Sequence, residues 1–411
     1  MIRSLLATIS VVVLLLAVPS YGAELVGFSE LAHGVRIGDD KTKRDGYNLS
    51  EFRTQLEYSR VFDDAYSTEL FTKAGFLADA YNDDASVYVR EFNLFLSPLD
   101  NMDIKVGRQI LTWGVADLIF ITDVFPKDYE SFFAGRELEY LKKPSDAIRV
   151  WLWLDAVNMD IILIPRFEPN TSLEPKRFSF YYPFTNTIEG VEGHRTLDVR
   201  SGSEKGIRLY RMLGGWEAAL YLFKGFYKQP RGIKDESKRV FYYPELTMYG
   251  LTLRGQLAGG VAYLEAGLYD SGDDPAGKDP NVVNSMAKYL VGYTRGSDTK
   301  VGVQYLLEEI LDYDNYRDYL KAGSPMLKEL THTITLSFTK LLLRQTLIID
   351  TFLFYSPTNK EAYFRGSVEY KVSDALSVTA GTNLFDGSYD HTEFGQLKGN
   401  DNLYVRLRYS F

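Results

Sequence analysis

The 411-residue sequence has no cysteine, and beyond its first residues it has no apolar run of helical spanning length. Without cysteine there are no disulfides, no thiolate metal ligands and no C-x-x-C-H site for covalent haem. Basic residues are outnumbered: 46 Lys and Arg against 55 Asp and Glu give a formal charge of −9. With no basic stripe, nucleic acid is not an expected partner. No G-x-x-x-x-G-K-[ST] phosphate loop occurs, and none of His33, His194, His332 and His391 stands in an H-E-x-x-H or H-x-x-E-H arrangement, so nucleotide and zinc-hydrolase chemistry have no support. No cofactor and no catalytic residue are expected.

What is present is aromatic and apolar, with 30 Tyr and 25 Phe, which excludes a disordered chain. Met1 to Gly22 reads as a cleaved export signal. Arg3 forms the positive start, Leu5 to Val18 the apolar stretch, and Ser20 and Gly22 the small residues at the cleavage site. The run is shorter than the roughly 20 residues of a spanning helix, which argues against an uncleaved anchor. Residues 23–411 are then expected to form a single domain, because only helices and closed barrels satisfy the backbone in lipid and no spanning helix follows the signal.

Period-two alternation recurs along this domain. Leu403, Val405, Leu407, Tyr409 and Phe411 alternate with Tyr404, Arg406, Arg408 and Ser410. The same split appears around Ala362–Tyr370, Leu347–Tyr355, Ala262–Leu268, Trp216–Leu222 and Phe52–Tyr58. One apolar and one polar face suit a wall between lipid and water. Short and long connections also alternate, which predicts a transmembrane antiparallel up-and-down β-barrel of about 18 strands, within 16 to 20. Such proteins have short periplasmic turns and longer extracellular loops. The C-terminal Leu407, Tyr409 and Phe411 resemble the strand by which bacterial outer-membrane barrels are recognised for assembly. Outer-membrane lipid, lipopolysaccharide and the barrel-assembly machinery are therefore expected partners, with a homo-oligomer as a further possibility.

Parity points charges of both signs inward in near balance, including Arg53, Lys105, Arg149, Arg254, Arg406, Glu57, Asp160, Glu265 and Asp350. That balance predicts a weakly selective lumen or one whose charges pair with each other and with an inserted segment. His332 shares parity with Ile334, Leu336 and Phe338, so it reads as an interfacial histidine and not a hydrolase residue. Asp270, Asp273, Asp274 and Asp279 lack calcium-loop spacing and read as a solvated acidic loop. The 167–203 segment, with its Phe178–Phe184 aromatics, reads as a long extracellular loop contributing to the outer aromatic girdle, with covering of a pore mouth as the alternative.

The long break from Lys105 to Pro144 carries Gly107-Arg108-Gln109, then Trp113-Gly114, Asp117, Asp123, Pro126 and Asp128. This series resembles the DUF1302 porin-like group of bacterial outer-membrane proteins and, more distantly, alginate-export-type barrels. The local similarity spans roughly a tenth of the chain, and Val115 stands where an acidic residue commonly follows Trp-Gly. The resemblance implies an outer-membrane channel. Gly107 and Gly114 permit close backbone approach, and a barrel of this size leaves space to fill. Residues 111–145 are therefore expected to enter the lumen as a constriction, an extracellular cap packed on itself being the alternative, with a short helix from Ser131 stopped by Pro144. The constriction residues are expected to be Lys105, Arg108, Gln109, Trp113, Asp117, Asp123, Asp128 and Arg149. The expected function is passive diffusion of small polar solutes across a Gram-negative outer membrane. The alternatives are a sheath housing an electron-transfer or export component and, behind it, an outer-membrane hydrolase.

Overall fold

In the computed structural model, residues 23–38, 46–63 and 67–411 are described. The expected export signal, 1–22, lies outside them. The described chain closes into an 18-stranded antiparallel β-barrel. Its strands are β1 (Ala23–Arg36), β2 (Tyr47–Asp63), β3 (Thr68–Asp79), β4 (Asp84–Leu99), β5 (Met102–Gln109) and β6 (Ser145–Leu152). They continue as β7 (Asn158–Ile164), β8 (Glu204–Leu213), β9 (Trp216–Phe226), β10 (Glu245–Leu257), β11 (Gly260–Ser271) and β12 (Met286–Arg295). The circuit is completed by β13 (Thr299–Ile310), β14 (Leu330–Leu342), β15 (Leu347–Ser356), β16 (Glu361–Lys371), β17 (Leu376–Gly387) and β18 (Asn402–Ser410). Each strand pairs with its chain neighbours, and β18 pairs with β1 from Phe28↔Ser410 to Arg36↔Asn402. Reciprocal backbone bonds of 2.8 and 2.9 Å between Gly27 and Phe411 carry the closure to the last residue. The predicted strand number is thus observed, and short and long connections alternate except at 80–83 and 357–360, where compact links occupy long-side places.

The outer wall is apolar because alternate residues must face lipid while the backbone is satisfied by neighbours. Leu31, Leu220, Val291 and Leu407 are 41 to 56% exposed and lie on this face. Tyr249, Tyr289, Tyr355 and Tyr409 add aromatic rings to it. His332 lies there too, as expected, with its ring nitrogen 2.7 Å from the hydroxyl of the outward Tyr305.

The inner face pairs its charges across strands. Lys73 and Glu57 are 2.9 Å apart, Arg149 and Asp160 2.6 Å, Arg208 and Glu217 2.6 Å, and Lys288 and Glu308 2.8 Å. Two loops fold inward over this face, 110–144 (the partition loop) and 165–203. The expected placement of the 167–203 aromatics in an outer girdle is corrected here. Phe178, Phe180 and Tyr182 are at most 4% exposed and pack with Phe132 and Phe133 of the partition loop inside the barrel. Burial against other rings removes more apolar area from water than an interfacial position would.

Candidate functional site

The partition loop enters the lumen in two limbs held by different chemistry. The first runs along the inner face of β7 to β13. The Trp113 indole N–H donates to Asp160 at 3.0 Å, and the ring packs on Phe125 and Tyr221 at centroid distances of 5.0 and 5.4 Å. Glu265, on β11 and 1% exposed, then accepts four bonds. They come from the backbone N–H groups of Val115 (3.0 Å), Ala116 (3.2 Å) and Thr122 (2.6 Å) and from the Thr122 hydroxyl (2.7 Å). This carboxylate closes residues 115–122 into a reversal. Gly114 makes it possible, because its φ of +82° is left-handed and a Cβ there would lie 3.0 Å from a Glu265 oxygen. Gln304 of β13 exchanges two bonds with the Asp117 backbone, at 2.8 and 2.9 Å, and fixes the tip against the far wall.

The second limb crosses to β15–β18 and β1–β3. Asp128 caps the short helix α1 (Tyr129–Ala134) by accepting from Ser131 N–H at 2.8 Å, and Gly135 closes it in the left-handed conformation. The expected single helix therefore ends after six residues, and a separate 3₁₀ turn, Leu138–Leu141, follows. The orphan carbonyls at the end of α1 are taken by the wall. Arg365 donates to Phe132 O and, at 2.9 Å, to Arg136 O, while Asn383 and Asn402 donate to Phe133 O at 3.1 and 3.2 Å.

Arg136 forms a bidentate pair with Glu51 of β2. Arg177, from the 165–203 loop and 1% exposed, pairs with Asp79 and reaches Glu130 at 3.0 Å. Burial pushes the Glu130 carboxyl up to about 7 against the opposing pull of Arg177 and Arg136. Burial likewise lowers the Lys127 ammonium, which its partner Asp123, at 2.9 Å, partly offsets.

The tip divides the lumen into two cavities. The one toward the long loops has a volume of about 240 Å³ and is floored by Leu118, Ile119 and Phe120. The one toward the short turns has a volume of about 450 Å³ and is lined by Asp117, Arg254, Arg295 and Lys300. Asp117 and Leu118 are consecutive, yet each lines a different cavity. The partition is one short stretch of chain, and Lys127 sits 4.5 Å over the Phe120 ring behind it.

The residues expected at the constriction are distributed differently. Asp117 faces the turn-side cavity, and Trp113 anchors the loop to the Asp160–Arg149 pair. Asp123 is consumed by Lys127 and Thr112, and Asp128 by the helix cap. Gln109, 1% exposed, donates to wall carbonyls, including Ala147 O at 3.1 Å, and so acts as a clamp at the base of the loop. Lys105 remains on the inner wall opposite Arg149. Arg108 is not in the lumen. Alternation from Lys105 puts it on the outward register with Val106, where it meets Asp146 and Glu168 at 3.1 Å each. Sequence reasoning did not single out Leu118–Phe120, Gln304, Glu51, Arg136 or Arg177. Glu265 was placed inward by parity, but nothing local to it signals the loop it would hold.

No family model and no characterised relative matches the chain in sequence, so the DUF1302-type relationship is not confirmed. Solved structures do match in fold. OccD3 (OpdP) of Pseudomonas aeruginosa has a TM-score of 0.56 at 11% identity, covering 95% of this chain and 91% of its own. OccK2 (OpdF) of the same organism, solved in complex with glucuronate, has a TM-score of 0.57 at 10% identity, with coverage of 95% and 98%. OccAB4 of Acinetobacter baumannii has a TM-score of 0.57 at 12% identity, with coverage of 95% and 98%.

Proposed function

We propose that this chain is an outer-membrane porin of a Gram-negative cell through which small polar solutes diffuse passively. The observation that carries the reading is the partition. A closed membrane-type barrel holds two cavities that meet the same reversal of the loop, Asp117 lining one and Leu118, Ile119 and Phe120 the other. In this reading the long loops are extracellular, the short turns periplasmic, and Leu407, Tyr409 and Phe411 form the assembly signal. A sheath for a partner protein fits less well, because the lumen is occupied by the 110–144 and 165–203 loops, whose Ile121, Phe125 and Phe178 are almost fully buried.

The wall charges favour anionic solutes. Several inner charges cancel in pairs, whereas Arg254 and Lys300 on the inner wall and Arg295 at the mouth have no ion-pair partner among the described residues, and Asp117 is the one acidic residue lining their cavity. Cations lining a narrow lumen raise the local concentration of anions. The OccK2 structure with bound glucuronate is consistent with a carboxylate as the solute class.

Planar-bilayer recordings test both statements. The purified, folded barrel should conduct, and under a salt gradient its reversal potential should report anion preference. The double variant Arg254→Gln, Lys300→Gln should move that potential toward zero. Conductance at the lipid baseline in folded protein would overturn the channel reading, and an unchanged potential in the variant would overturn the anion preference alone.

A further inference from the structure

Charges at the rim of the outer wall are paired at several places. Arg108 has Asp146 and Glu168, and Arg200 has Asp273 at 2.7 Å and Glu245 at 3.6 Å. One place breaks the pattern. Lys205 on β8 and Lys224 on β9 are register partners, directly opposite each other across an antiparallel pair. Both are exposed, and both have outward parity, since Arg208 and Tyr221 on the same strands point inward to bond each other at 3.2 Å. Neither ammonium has an ion-pair partner among the described residues. Like charges directly opposite on a sheet are destabilising, so the pair is unfavourable unless an external anion bridges it.

The level of the pair on the wall indicates where such an anion would come from. In the next outward row toward the turns, register aligns Ile207, Leu222, Tyr249 and Leu268, and below it Leu209, Leu220 and Leu251. These rows belong to the apolar belt, with Leu220 56% and Tyr249 50% exposed. The lysines stand one row beyond it on the long-loop side, in the sequence Leu163, Lys205, Lys224, Thr247, Asp270 across β7 to β11. Asp270 is two strands from Lys224, about 10 Å at ordinary strand spacing, which is beyond an ion pair. Chains above this belt end in lipid headgroups. The basic residue Arg166 is also exposed nearby, since Phe167 N–H bonds Gly202 O at 2.7 Å and brings the two loop ends together.

We propose that Lys205 and Lys224 form a binding site for a phosphorylated lipid headgroup of the leaflet on the long-loop side, with the acyl chains lying over Leu222, Tyr249 and Leu268. The phosphate oxygens accept from both ammoniums and turn their repulsion into a shared contact. This goes beyond the channel reading and rests only on the barrel being in a membrane.

The test uses the folded, detergent-solubilised barrel with bis-phosphorylated lipid A as probe. Dephosphorylated lipid A and inorganic phosphate serve as controls. Lipid A should raise the thermal midpoint of the wild type, and the Lys205→Gln, Lys224→Gln variant should retain it about tenfold or more weakly, the scale expected from losing two interfacial lysines. Without lipid the variant should be at least as stable as the wild type, because the repulsion is gone. Equal retention by the two proteins overturns the proposal. So does an equal stabilisation by dephosphorylated lipid A, which would mean apolar contact alone, or by inorganic phosphate, which would mean a free-anion site. Conductance measured on the same preparations keeps failure of the channel reading separate from failure of this one.

Discussion

The two limbs of the partition loop solve one problem in opposite ways. The first limb presents backbone N–H groups to a wall anion, Glu265, which gathers Val115, Ala116 and Thr122. The second presents helix-end carbonyls to wall donors, Arg365, Asn383 and Asn402, and adds the buried ion cluster of Glu51, Arg136, Arg177, Asp79 and Glu130. An unpaired backbone polar group is costly once water is excluded, so a non-helical loop crossing a barrel must find its partners on the wall. The difference is that the first limb ends in the thin reversal that divides the cavities, whereas the second is packed in rings and charges. Solute passage should therefore be sensitive to the first limb, and stability and pH response to the second.

The largest effect is expected from Arg136→Ala. It leaves Glu51 buried without its bidentate partner, at a cost of about 3–5 kcal/mol. Thermal unfolding and protease nicking within residues 127–144 should report this, with conductance changing less than stability. Conductance rising as steeply as stability falls would break the division of labour between the limbs.

Next comes Glu265→Ala, which removes the common acceptor of the reversal at a cost of about 2–3 kcal/mol. Here open-channel current and its noise should rise as the tip is released, while the heat-modifiable migration of the barrel on gels is retained. Glu265→Gln keeps a carbonyl acceptor and should fall between the two.

A smaller effect is expected from Glu130→Gln, and it depends on pH. Because burial raises the Glu130 carboxyl to about 7, the folded protein holds this proton more tightly than the unfolded chain does. The associated stability is fully present below the ordinary value of 4.5 and is lost as pH rises through about 7. Wild-type thermal midpoints should thus decline between these values by an amount the glutamine variant does not show, with a difference of about 2 kcal/mol or less. A parallel pH profile in both proteins would remove Glu130 from the account.

The smallest effect is expected from Trp113→Phe. It deletes the indole donor but leaves Asp160 with Arg149, whose guanidinium reaches it at 2.9 and 2.6 Å, so about 1 kcal/mol is expected. Its conductance should shift slightly in the direction of Glu265→Ala. A shift in the opposite sense would separate Trp113 from the positioning of the reversal.

The wall was legible in the sequence for a definite reason. Lipid outside and water inside impose a two-residue period that each strand satisfies locally, and every short turn marks a strand end. The same parity read Arg149, Asp160, Glu265 and Arg406 inward and His332 outward. Applied to Arg108, the register of its strand puts the side chain outward, against the constriction role expected from the motif. The interior was less legible. The bonds from Glu265 to Thr122 and from Arg365 to Phe132 span 143 and 233 residues, and no local pattern encodes such a meeting. Asp123 and Asp128 had the right type and neighbourhood for a pore lining, yet one was taken by Lys127 and the other by a helix cap.

Sequence by itself determined the closed antiparallel barrel, its strand number, the inward and outward faces and the segment that leaves the wall. Each of these follows from alternation and turn spacing within a few residues. Only the tertiary structure decided that the 165–203 loop joins the interior, that Leu118–Phe120 stand with Asp117 between the cavities while Asp123 and Asp128 do not, and that Lys205 faces Lys224. The physical reason is that those outcomes depend on which buried donors and acceptors meet across the lumen and on strand register, quantities set by closure of the whole ring.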